Sequence, residues 1–121
     1  MKFYFVLNNR RMKLEKEGGW LMDVIQTAMS VIANAGSSRS YSLEALQSLQ
    51  VGKYDNAEEL MKKAEDTLLA AHRTHSEFLV AESRGEKIEF SVFLLHAESH
   101  LNLAEQTKDM VDAFYHLYKK G

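Results

Sequence analysis

The chain has 121 residues, 45% of them hydrophobic and 26% charged, with 15 basic against 17 acidic side chains. That length suits one domain with a modest core. The formal net charge of -2 argues against a dedicated nucleic-acid binder, which carries a clear basic excess. With no cysteine, the chain can hold no disulfide framework, thiolate metal site or cysteine nucleophile, and it fits a reducing cytosol. Proline is also absent, which removes the commonest helix breaker and favours long uninterrupted helices.

In chain order, the N-terminus comes first. The segment from Met1 to Leu7 resembles a signal start only faintly, because its apolar run is about five residues against roughly 7–15 for an h-region. Residues 1–19 are expected to form an irregular or frayed leader, closed by Gly18 and Gly19, with residues 20–121 forming the folded domain. No run approaches the roughly 18 apolar residues of a membrane span, so no direct membrane insertion is expected.

After Gly19 the apolar residues take up a helical period. Leu21, Val24, Ile25, Ala28, Ile32, Ala35, Leu43, Leu46 and Leu49 mark one face of a helix over about 20–51, and Gly52 stands where a C-terminal cap belongs. Gly36 lies inside that pattern, where it is expected to mark a kink or a close helix–helix approach. Asp55 and Glu58 have the spacing of a capping box that opens a second helix over about 55–84. Its face is Ala57, Leu60, Met61, Ala64, Leu68, Ala71, His75, Phe78 and Leu79, and Gly85 is the expected stop. Ser91 is the expected N-cap of a third helix over about 91–119. The stripe read for that helix is Val92, Leu95 or His96, Ser99, Leu103, Gln106, Met110, Ala113 and Leu117, with three polar members. Three long helices with short turns predict an all-α, antiparallel up-down-up bundle.

Five histidines stand out, four of them in pairs: His72 with His75, and His96 with His100. Spacings of three and four put each pair on one helical face. For His72 and His75, packing and hydrogen bonding near a helix end is an adequate account, and His116 reads as a surface residue complementing the helix dipole. His96 sits on or beside the stripe just read, where an unpaired imidazole is costly. Three roles remain open for His96 and His100 on spacing alone: structural, metal-chelating, or nucleophilic with an imidazole attacking phosphorus. A non-catalytic helical module and a histidine-rich metal-binding bundle are the rival classes. The Glu-x-x-His motif of di-iron bundles is not duplicated here.

The residues also resemble a family. Asn34-Ala35-Gly36-Ser37-Ser38-Arg39-Ser40 followed by Glu44-Ala45-Leu46, then Gly52, Tyr54 and Ala57, look like a first-helix signature and the turn after it. Ala71-His72-Arg73-Thr74-His75, Glu82 and Gly85, then Leu95-His96-Ala97-Glu98-Ser99-His100-Leu101 and Leu117-Tyr118-Lys119, continue it. Together they resemble the lactose/cellobiose-type enzyme IIA of the bacterial sugar phosphotransferase system. The resemblance implies a cytoplasmic homotrimer whose His96 accepts a phosphoryl group from the phosphocarrier protein HPr. His96 would then pass it to a cysteine of the cognate enzyme IIB, for uptake of a cellobiose-, chitobiose- or lactose-type sugar. His100 would stabilise the phosphoryl oxygens, and Glu98 and Ser99 would belong to the same site. No cofactor is expected. The family usually carries aspartate at the position of Ser99, where three copies can meet around an axial metal ion, so no carboxylate-bound axial metal is expected here. Glu98 stands in place of the usual glutamine, and a carboxylate near a phosphoryl dianion is unfavourable unless it is screened or points away.

Overall fold

In the computed structural model, which describes residues 24–88 and 91–120, three helices follow one another with short turns: α1 (Val24–Gln50), α2 (Tyr54–Ser83) and α3 (Val92–Lys120). The leader expected over residues 1–19 lies outside the described residues. So does the start expected for the first helix. The fold is all-α, with the helices antiparallel in up-down-up order and no strand among the described residues.

The two turns that reverse the chain are set by glycine. Gly52 has φ +78°, a left-handed conformation that costs little without a Cβ. It lets the Lys53 N–H donate to the Ser48 carbonyl at 2.8 Å and its own N–H donate to the Leu49 carbonyl at 3.1 Å. Gly85, at φ +89°, repeats the arrangement, with the Glu86 N–H donating to Ala81 at 3.1 Å and its own to Glu82 at 3.0 Å. Both are Schellman caps, which satisfy carbonyls that the helix ends leave free. Ser91 caps α3 as expected, its Oγ accepting the Phe93 N–H at 3.1 Å.

Two local expectations fail. The capping box does not form: α2 starts at Tyr54, Lys53 is its N-cap without a side-chain bond, and Asp55 already lies in the first turn. The Schellman turn around Gly52 ends so tightly that the helix restarts before Asp55 can cap it. Glu58 instead reaches across to Tyr115 and Lys119 of α3. Nor does Gly36 mark a kink or a close approach. It lies inside an unbroken α1, and a Cβ placed on it would meet nothing within 4 Å.

α1 is the shared partner, packing on both α2 and α3, whereas α2 and α3 touch each other far less. Small side chains permit this. Ala28, Ala35, Ser38, Ser42, Ala45 and Ser48 recur on the buried side of α1, so two other helices approach its backbone closely. One core cluster joins Ala28, Val31, Ala35, Leu68, Ala71, Ala97, Leu101 and Ala104. A second joins Ala45, Leu49, Ala57 and Val111. In the serine-rich stretch of α1, the Ser38 Oγ donates to the Ala64 carbonyl at 2.8 Å, a cross-helix bond that compensates for burying a hydroxyl. Leu101 is 4% exposed in the first cluster. Leu101→Ala is therefore expected to cost about 3 kcal/mol, read as a lower urea midpoint at unchanged slope.

The third helix corrects the sequence reading most. Its bundle-facing residues are Ala97, Leu101, Ala104 and Val111. Leu95, Leu103, Met110 and Leu117 of the expected stripe are each more than half exposed. α3 has two apolar faces, and the one carrying Leu95, Leu103, Met110 and Leu117 points outward. His96 is exposed too, rather than set in the core.

Candidate functional site

The site is built on the first half of α3. His96 and His100, one turn apart, turn their rings toward each other, with centroids 4.5 Å apart and planes at 85°. Their Nε2 atoms lie 3.1 Å apart. That contact needs one ring to donate an N–H and the other to accept it on a lone pair, so the neutral pair shares a single proton between two nitrogens. His96 is exposed and His100 half-buried, leaving the pair open to solvent. Such a pair offers one nucleophilic nitrogen and one adjacent donor, held by a rigid helix near its positive end.

Glu98 is not brought together with the two histidines. Residues two apart on a helix do not face each other, and Glu98 turns to α2, where its Oε2 lies 3.1 Å from the His75 Nε2. Glu98 is thus engaged by α2 rather than by the His96–His100 pair. Ser99 is exposed on the outward face, its Oγ donating back to the Leu95 carbonyl at 3.4 Å. That places it beside the exposed stripe rather than against the imidazoles.

The other histidine pair has a structural occupation that periodicity did not reveal. His75 meets Glu98, and the His72 Nε2 lies 3.4 Å from Glu105. Further along the same seam Lys108 reaches Glu65 and Asp112, both at 2.9 Å, and Lys119 reaches Glu58 at 3.2 Å. A row of polar pairs therefore ties α2 to α3 where apolar contact is sparse. Burial pulls the Lys108 ammonium down, but hydrogen bonds to Asp112 and Glu65 outweigh it and hold its pKa above the ordinary lysine value. Hydrogen bonds from Tyr115 and Lys119 lower the Glu58 carboxyl. Its contribution to stability is therefore present above the ordinary carboxylate value and is lost as pH falls through the lowered one. The signal for this seam was the antiparallel register, which needs the turn geometry before opposite residues can be paired.

A groove of about 400 Å³ runs beside the C-terminal end of α2, lined by Arg73, Ser76, Glu77, Val80, Ala81, Arg84 and Glu86. It contains none of the candidate residues. Among the described residues, no three His, Cys, Asp or Glu side chains converge on one point.

Comparison with known proteins decides the family. The profile of the lactose/cellobiose-specific IIA subunits of the phosphotransferase system (PTS) matches residues 26–119. The chain belongs to the lactose/cellobiose-specific IIA family. It is 42% identical over 91 residues to the lactose-specific EIIA component of Streptococcus mutans, covering 75% of this chain and 88% of that one. The crystal structure of the cellobiose-specific enzyme IIA from Bacillus anthracis superposes with a TM-score of 0.78 at 40% identity, covering 84% of this chain and 93% of that chain. The IIA of a solved IIA(chitobiose)–HPr complex shares the fold alone, with a TM-score of 0.71 at 22% identity over 82% of this chain and 96% of that one. The chain is accordingly a IIA component of a sugar phosphotransferase system. Among the described residues, no helix is long and apolar enough to cross a membrane.

Proposed function

We propose that His96 is the phosphoryl acceptor of this IIA component, with HPr as donor and a cysteine of the cognate enzyme IIB as the next acceptor. The observation that carries this reading is the exposed His96–His100 pair with its Nε2 atoms 3.1 Å apart. In the transfer step, the Nε2 lone pair of His96 attacks phosphorus in line. The nitrogen–phosphorus bond forms as the donor's bond to phosphorus breaks, and the electron pair leaves with HPr. His100 must then swing its Nε2–H from the His96 lone pair to a phosphoryl oxygen, where a charge-assisted hydrogen bond replaces the neutral one. The dipole of α3 adds little, since His96 lies just beyond the first turn. In the second half-reaction the phosphoryl group leaves for the thiolate of enzyme IIB, the thiol this chain lacks.

His100→Ala keeps the nucleophile and removes the donor. Transfer is expected to slow by on the order of 100-fold, the usual cost of losing one charge-stabilising donor. Rapid-quench sampling of phosphoryl uptake from phospho-HPr tests it, and equal rates would reduce His100 to a packing role.

The reading also places three copies of the chain around an axis and the protein in the cytoplasm. What supports the trimer is the second apolar face of α3, where Leu103 and Met110 lie exposed with Ser99 and Gln106. A face of that kind serves no purpose in a lone bundle but suits a subunit interface. Serine at position 99 leaves no carboxylate there for a cation, so the proposed trimer forms without a metal. The substrate served is a cellobiose-, chitobiose- or lactose-type sugar, the class to which the related IIA components are assigned by name.

A further inference from the structure

The geometry of His96 and His100 points to a second property: we propose that the pair chelates one divalent transition ion of the Zn²⁺ class through both Nε2 atoms. Tetrahedral zinc binds imidazole nitrogen at about 2.0–2.1 Å, which sets two such nitrogens about 3.3 Å apart. The two Nε2 atoms already lie 3.1 Å apart. The nitrogen–nitrogen span therefore needs little change, and reorientation of the two rings about their side-chain torsions would aim both lone pairs at one ion. Both rings stand on a rigid helix and face solvent, so little ordering is required and water completes the coordination.

The proton balance is favourable. Each ligand must be a neutral imidazole bearing its proton on Nδ1. In the neutral pair one Nε2 already presents a lone pair, so only the other ring changes tautomer and no proton is released. The remaining histidines do not compete on equal terms. His72 and His75 are each turned to a different α3 carboxylate, at 3.4 Å and 3.1 Å. His116 stands beside Tyr115 with no second imidazole near it. Since no third ligand converges among the described residues, the site is a weak, exchangeable one rather than a resident metal centre.

One consequence rests on the proposed function. The lone pair that binds the ion is the lone pair that attacks phosphorus, so the ion and the phosphoryl group exclude each other. Zinc at about ten times its Kd is then expected to slow phosphoryl acceptance about tenfold, the factor 1 + [L]/Kd.

Isothermal titration of zinc chloride into the chelator-stripped full chain, at neutral pH and without any phosphoryl donor, tests the site. One ion per chain is expected, with a Kd on the order of micromolar. His96→Ala and His100→Ala should each weaken it by at least about tenfold, and His116→Ala should leave it unchanged. His96→Gln and His100→Gln repeat the test with polar side chains of similar reach, and circular dichroism verifies helix content. No binding by the parent, or binding that survives both substitutions, overturns the proposal. Phosphorylation in chelator separates the two readings. A chain that binds zinc but takes no phosphoryl group refutes the carrier role alone, and a chain that takes phosphate but no zinc refutes the metal site alone. With pre-phosphorylated HPr as donor, an unchanged rate in saturating zinc would overturn the exclusion.

Discussion

His96→Ala is expected to abolish phosphoryl acceptance while leaving helix content at the parent level. The side chain is exposed and belongs to neither core cluster, so its removal opens no cavity. Alanine is also the best helix former, which makes the backbone effect neutral or favourable. What is lost is the nucleophile itself. His100 cannot replace it simply by proximity, because the donor must approach the nitrogen in line and the two rings lie at 85° to each other. Intact mass after incubation with phosphoenolpyruvate, enzyme I and HPr reads the outcome, and full acceptance by the variant would remove His96 from the mechanism.

Assembly should respond as sharply to Ser99→Asp. The parent is expected to be a trimer whose mass in light scattering does not change with chelator, because no carboxylate at this position requires a cation. The variant would bring three negative charges together around the axis. At about 4 Å, each pair repels by roughly 4 kcal/mol at an effective dielectric of 20, a large fraction of any subunit interface. It should then stay assembled only with a divalent cation or at acid pH, where the carboxylates are neutralised. A parent that dissociates in chelator, or is monomeric throughout, contradicts the arrangement.

Much of the architecture was legible because it is written in local rules. The glycines at 52 and 85 and the capping Ser91 determine where α1 and α2 stop and where α3 starts, and the missing prolines leave the helices unbroken between. None of these needs long-range information. The face of α3 was misread for a physical reason. Periodicity reports which positions share a face, but it does not say which of two apolar faces meets the bundle. Ala97, Leu101, Ala104 and Val111 are buried, while Leu103 and Met110 lie exposed on the other side of the same helix. The capping box failed because the competing turn at Gly52 lies within three residues of it. For the site, spacing alone paired His96 with His100 and left three roles open. The direction of Glu98, and its bond to His75, depended on the register between α2 and α3, which no single segment carries. Resemblance to the IIA family supplied the roles, and the geometry supplies the way those residues could perform them.

The carrier role is tested most directly by the intact mass of the parent chain after exposure to phospho-HPr in chelator, followed by brief acid treatment. The expected result is a gain of one phosphoryl group per chain that is lost in acid, as a nitrogen–phosphorus bond requires. No gain, or a phosphate that survives acid, would contradict phosphoryl transfer through His96.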